Sequence, residues 1–169
     1  MIGLLVDYLV QYKGNVQQVV VVLFLMVALL QGRAPERLIC AVFAAWIPFD
    51  ICYHMLAGGS IMLRTVNVGH FLLDTVLLVD FVVIALYANR LYPLWIAGAQ
   101  LVAIFAHLLS LLPTHSVRFA YDMMALAPSY IQLTTLGLGL ASQILREHQG
   151  NDVRDWRAPR GNPPSGALV

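Results

Sequence analysis

Long apolar runs make up most of this sequence, and each of the major runs is long enough to cross a lipid bilayer. Of the 169 residues, 60% are hydrophobic and 11% are charged, and the mean hydropathy is +0.76. Soluble domains carry roughly 45–50% apolar and about 25% charged residues. A membrane span uses about 20 residues, so the chain has room for one small helical bundle. The composition therefore predicts a single-domain integral membrane protein.

Five transmembrane helices are predicted from the apolar runs and from the residues that separate them. Pro35 is well placed at a helix start, because a helix leaves its first N–H groups without partners. Gly58 and Gly59 predict a tight connection after the second helix. The predicted spans cover about residues 16–31, 35–57, 64–89, 92–112 and 117–145.

The two ends of the chain differ from its apolar middle. Residues 1–13 place Ile2 and Leu5 on one helical face, which predicts an interfacial lead-in. Residues 147–169 combine charges, Pro and Gly with little to bury, which predicts a disordered cytoplasmic tail. We therefore expect an all-α fold in which residues 1–146 form a membrane bundle of five transmembrane helices.

The basic residues are distributed unequally between the two sides of such a bundle. One side collects seven of them, Arg33, Arg37, Arg90, Arg146, Arg154, Arg157 and Arg160. The other side collects three, Lys13, Arg64 and Arg118. Because Lys and Arg favour cytoplasmic loops, we expect the N-terminus outside and the C-terminus in the cytoplasm. The layout resembles that of small bacterial inner-membrane proteins, so the bacterial inner membrane is the expected location.

Ionisable side chains lie inside these apolar runs, where lipid cannot solvate them. They are Asp50, His54, His70, Asp74, Asp80 and His107. Such residues are costly in a membrane and by default indicate a functional site. With a rise of 1.5 Å per residue, the three histidines fall about 6 to 9 Å below the outer ends of their helices. We therefore expect them to share one layer near the outer face.

Helical spacing places these residues in pairs. Asp50 and His54 are separated by four positions, as are His70 and Asp74, so each pair lies on one helical face within reach. Other polar residues fall on the same faces or in the same outer half of the bundle, namely Asn67, Gln100, Asp122 and Ser129. A polar lining contributed by four helices is therefore expected.

Two kinds of chemistry fit these residue types. A carboxylate beside an imidazole can bind and pass a proton. The same groups can ligate a divalent metal through imidazole nitrogens and carboxylate oxygens. The predicted metal ligands are His54, His70, His107, Asp50 and Asp74. An ion such as zinc is favoured over haem, because nothing in the spacing of the histidines selects a haem.

Structural roles compete with the functional ones. An intramembrane His or amide is often satisfied by an interhelical hydrogen bond, which is an equal alternative for His107 with Gln100. For Asp80 a structural role is favoured, because it can approach the inner membrane interface or pair with a basic residue such as Arg90. Several aromatic residues suit interfacial belts instead of a site. They are Trp46, Tyr53, Tyr92, Trp95 and Tyr121.

Three functions remain open. The first is a small membrane binding or accessory protein whose Asp/His cluster near the outer face binds a cation, either a proton or a divalent metal. The second is a metal-dependent membrane enzyme acting on a lipid or another amphipathic substrate, which requires an open ligand position. The third is a purely structural subunit of a larger membrane complex. Catalytic residues stay unassigned, because the sequence carries none of the common phosphate-binding, nucleophile or metalloprotease motifs.

The expected partners follow from the same composition. Lipid surrounds the bundle, and other membrane subunits or a second copy of the chain are expected next to it. The formal net charge of +1 gives no clustered basic face, so nucleic acid is excluded as a partner.

Overall fold

The computed structural model describes residues 2–57, 62–63, 66–109, 118–150 and 154–157, and the side chains within 14–56, 68–109, 124, 127–150 and 154–157. Almost all of these residues are helical, which confirms the predicted all-α class. The helices are α1 (Ile2–Gln31), α2 (Ala34–Ala57), α3 (Val68–Tyr87), α4 (Tyr92–Leu109) and α5 (Arg118–His148). A short antiparallel hairpin pairs β1 (Met62–Leu63) with β2 (Val66–Asn67) between α2 and α3.

Two helix boundaries differ from the sequence prediction. The third helix begins at Val68 instead of near residue 64, because Val66 and Asn67 form strand β2 directly before it. The first helix runs without a break through the predicted lead-in and the first span. Gly14 lies inside it, and a single helical Gly costs only about 1 kcal/mol relative to Ala.

Four helices are long and apolar enough to cross a membrane, which supports membrane association. They contain the segments Gly14–Gln31, Ala34–Leu56, Val68–Tyr87 and Tyr92–Leu109. Large apolar side chains on these helices point outward, among them Leu23, Leu72, Val76 and Phe105. An outer surface of this kind suits a lipid environment, because lipid tails are as apolar as the side chains that face them. The fifth helix is less apolar, since it carries polar residues such as Gln132 and Gln143.

The buried core lies where the five helices meet. α4 packs between α3 and α5, and α1 packs against α2. The core residues are Ala28, Ile39, Cys40, Leu77, Phe81, Ile84, Ala88, Ile96, Ala97, Leu136 and Leu140. Gly139 allows a close approach in this region, because a Cβ atom there would lie 2.7 Å from the ring of Tyr92. Small residues at such contacts let helices pack closely.

Part of the expected C-terminal tail is held against the helices. The backbone N–H of Asn89 donates to the carbonyl of Asp155 (3.0 Å), and that of Arg157 donates to the carbonyl of Tyr87 (2.9 Å). Tyr87 is the last residue of α3 and Asn89 lies just beyond it. The last carbonyl groups of a helix lack helical partners, and here Arg157 supplies one for Tyr87. Residues 154–157 therefore differ from the predicted disorder, and most of the remaining tail lies outside the described residues.

Candidate functional site

Three of the predicted ligands meet where the end of α2 approaches the start of α3. The Nε2 atom of His70 lies 3.1 Å from Oδ1 of Asp50, and Nε2 of His54 lies 3.7 Å from the same oxygen. One ligand atom from each residue lies within 4.8 Å of the other two. We call Asp50, His54 and His70 the outer cluster. Its atoms are close enough to share one bound cation.

The local sequence explains how the outer cluster is assembled. Asp50 and His54 are one helical turn apart on α2, so both side chains project from the same face. The rings of His54 and His70 lie next to each other, with centroids 5.1 Å apart and planes tilted by 52°. The ring of Tyr53 meets His70 edge-on at 5.4 Å. This ring also lies directly against Gly69, where any Cβ atom would overlap it.

The remaining two predicted ligands form a separate site between α3 and α4. Nε2 of His107 lies 2.8 Å from Oδ2 of Asp74. The side-chain amide of Gln100 donates to Oδ1 of Asp74 (3.0 Å). The side-chain amide of Gln132 donates to Oε1 of Gln100 (2.7 Å). We call Asp74, His107, Gln100 and Gln132 the inner chain of hydrogen bonds. It links α3, α4 and α5. Gln100 and Gln132 are buried, and buried polar groups need hydrogen-bond partners because water cannot reach them.

The two sites border the same cavity. Its volume is about 330 Å³, and both Asp50 and Asp74 line it. Gln17 donates to the Ser129 hydroxyl across its far wall (3.0 Å), which joins α1 to α5. The His54 side chain is 43% exposed, compared with 20% for His107. The outer cluster is therefore the more accessible of the two, and the Asp74–His107 pair is partly buried.

The structure distributes the predicted site residues differently from the expected single pocket. His70 contacts Asp50 on the neighbouring helix, although Asp74 lies four positions away on its own helix. Helical spacing only places two residues on one face, and interhelical partners can lie closer. Gln100 joins the site as expected, but through Asp74. The side chains of Asn67 and Asp122 lie outside the described residues, and Asn67 belongs to β2 instead of α3.

Some residues of the site were not predicted from the sequence. Tyr53 was expected in an interfacial belt, yet its ring packs against both histidines of the outer cluster. Gln17 and Gln132 complete hydrogen bonds to Ser129 and Gln100. An amide inside an apolar helix is the signal that identifies both glutamines, because such groups usually seek an interhelical partner.

A second polar cluster lies at the opposite helix ends. Glu36 is fully buried at the start of α2 and accepts a hydrogen bond from the Tyr92 hydroxyl (3.2 Å). Nε of Arg90 lies 3.8 Å from Glu36, and its Nη2 lies 3.9 Å from Asp155. In the described residues, Arg90 therefore has Glu36 and Asp155 as its acidic neighbours, and Asp80 is not among them. Tyr92 was expected in an aromatic belt and serves this cluster instead.

The comparisons with known proteins add no relative. No protein-family model, no curated protein and no solved structure matches this chain.

Proposed function

We propose that the chain is an integral membrane protein of five spans that binds a divalent metal ion, such as zinc, at the outer cluster. One observation carries the proposal, namely that ligand atoms of Asp50, His54 and His70 all lie within 4.8 Å of one another. Tetrahedral zinc with bonds of roughly 2.0–2.2 Å places its ligand atoms about 3.3–3.6 Å apart. The two contacts of Asp50, at 3.1 and 3.7 Å, bracket that spacing.

The outer cluster also suits an ion that exchanges with its surroundings. Two imidazoles and one carboxylate supply three protein ligands, which leaves one position of a tetrahedral zinc ion for water. His54 is the most accessible of the three side chains. We therefore assign the site to binding, with the fourth position open toward the solvent or the cavity.

The position of the chain in the membrane is part of the same proposal. α5 serves as the fifth span, although it is less apolar than the other four helices. The basic residues that the sequence assigns to one side favour a cytoplasmic location for the end that carries Glu36 and Arg90. The outer cluster would then lie near the outer face of a bacterial inner membrane, with the N-terminus outside.

Proton binding is a second candidate, and it is favoured at a different place. The 2.8 Å contact between His107 and Asp74 has the length of a charge-assisted hydrogen bond. Two ligands are too few to hold a metal securely, whereas one such pair is sufficient to hold a proton. The inner chain of hydrogen bonds therefore suits proton binding or a structural role better than metal binding.

Enzymatic activity is a third candidate, supported by the cavity that Asp50 borders. A metal with an open position beside a cavity of about 330 Å³ could activate water against a lipid or another amphipathic substrate. Zinc-dependent turnover of such a substrate by the purified protein would favour this function over metal binding alone.

Metal analysis of the purified protein tests the proposal. The full chain in detergent is incubated with zinc, dialysed, and measured for zinc per chain by mass spectrometry. We expect one zinc per chain in the wild type and less than about half of that in Asp50→Asn, His54→Gln and His70→Gln, because each variant loses one of the three protein ligands. His107→Gln is the matched control, since it removes an imidazole from the other site. Absence of zinc from the wild type, or equal loss in His107→Gln, would contradict the proposal.

A further inference from the structure

A groove lies at the opposite end of the molecule from the outer cluster, between the start of α4 and the last turns of α5. Its volume is about 610 Å³. Three arginines line it, Arg90, Arg146 and Arg157. No acidic residue lines it in the part of the chain that the structure describes. Because Arg90 lies near Glu36 and Asp155, the positive charge of the groove comes mainly from Arg146 and Arg157, at a helix end where the membrane surface is expected.

Two of the arginines are held in place by specific contacts. The guanidinium of Arg146 donates to the carbonyl and the hydroxyl of Ser142, one turn earlier on α5 (3.2 and 2.9 Å). Arg157 is brought to the groove by its backbone hydrogen bond to Tyr87. Arg90 is mostly buried and lies near two carboxylates. Arg146 and Arg157 are thus the two arginines whose charge is best placed to meet an incoming anion.

The rest of the groove is apolar and opens onto the outer surface of the helices. Trp95 and Leu138 line it, and their exposed fractions are 70% and 67%. Both belong to helix faces that continue into the large apolar surface described above. A ligand that fits this groove needs a negative head group and an apolar part. A phospholipid with an anionic head group has both.

We infer that the groove binds one anionic phospholipid, with its phosphate against Arg146 and Arg157 and an acyl chain along Trp95 and Leu138. Basic pockets between membrane helices on the cytoplasmic side recognise anionic head groups in this way, and Arg favours phosphate because its planar fork donates two hydrogen bonds. The inference is independent of the metal site, which lies at the other helix ends. It requires only that the helices cross a bilayer.

Native mass spectrometry of the full chain in detergent tests this inference. Short-chain phosphatidylglycerol and phosphatidylcholine are titrated separately, and the first bound lipid is quantified. We expect phosphatidylglycerol to bind about tenfold more tightly, because only it carries a net negative charge. The Arg146→Gln and Arg157→Gln variants are each expected to weaken phosphatidylglycerol binding about tenfold, the loss expected for one charge-assisted hydrogen bond. Phosphatidylcholine carries the same phosphate, but its choline cation offsets the charge, so its binding is expected to weaken less in both variants.

The Arg154→Gln variant is the matched control, because it removes a charge from the same segment but not from the groove. It is expected to bind phosphatidylglycerol within about twofold of the wild type. Arg157 is exposed, so its substitution leaves the fold intact and keeps the test decisive. Equal binding of the two lipids, or an equal loss in Arg154→Gln, would overturn the inference. Displacement of the lipid by millimolar inorganic phosphate would also overturn it, since the site would then take a free anion.

Discussion

His70 contacts Asp50 across the interface of α2 and α3, with 3.1 Å between Nε2 and Oδ1. Asp74, one turn away from His70 on the same helix, contacts His107 on α4 instead. Asp50 and Asp74 thus each link two helices. A carboxylate that bridges helices contributes to their packing, so substitution of either residue is expected to change stability as well as the polar contacts.

Zinc is expected to stabilise the protein against unfolding. A ligand at one hundred times its dissociation constant adds about 2.7 kcal/mol to the free energy of unfolding of a protein that it binds only when folded. The measurement is the midpoint of thermal unfolding in detergent, with zinc or with a chelator. Asp50→Asn should abolish the difference between the two conditions. Asp74→Asn should keep it, and a wild type that does not respond to zinc would contradict the metal site.

Gly69→Ala is expected to disturb the outer cluster. Its added methyl group would overlap the ring of Tyr53, so the ring must leave its place beside His70. Such overpacking costs about 1–3 kcal/mol, and zinc affinity should fall in the same variant. Gly98→Ala is the control, because no atom lies within 4 Å of the added methyl group. A Gly69→Ala protein with wild-type stability and zinc affinity would show that this contact does not position the site.

Glu36→Ala is expected to be strongly destabilising. Glu36 is fully buried and the Arg90 side chain is 5% exposed, so removing the carboxylate leaves a buried cation with fewer partners. Breaking a buried pair in this way costs about 3–5 kcal/mol. Unfolding by denaturant measures the effect, with Arg154→Ala as the exposed control. A loss below 1 kcal/mol would mean that Asp155 and Tyr92 accommodate the change.

Gln100→Leu is expected to lower stability without affecting zinc. The substitution removes the donor to Asp74 and the acceptor for Gln132, and a buried polar group without a partner costs about 1–3 kcal/mol. A double-mutant cycle with Gln132→Leu should give a coupling energy of about 0.5 kcal/mol or more. Strict additivity of the two substitutions would show that the hydrogen bond between them contributes nothing.

Much of the fold could be predicted from the sequence, because apolar runs and Pro and Gly positions mark helices directly. The ends of α4 and α5 lie within a few residues of their predicted positions. The hairpin before α3 was missed, since its apolar residues continue the pattern of a span. Periodicity identifies an apolar segment, but it does not reveal where such a segment stops being helical.

The site could be predicted only in part. The cost of ionisable groups in lipid pointed to Asp50, His54 and His70, and the structure brings these three together. Their partners depend on which helices are neighbours, and spacing along one helix carries no such information. The cluster of Glu36, Arg90 and Asp155 was missed for the same reason, because its members are far apart in the sequence and meet only in the folded bundle.

The docking of residues 154–157 onto the end of α3 has a consequence for biogenesis. A ribosome makes this segment after all five helices, so Asp155 can reach Arg90 and Arg33 only after the residues of every helix have been synthesised. Until that moment both guanidinium groups lack one of their acidic neighbours. Completion of this polar cluster therefore depends on a carboxylate that is synthesised after every helix that it joins.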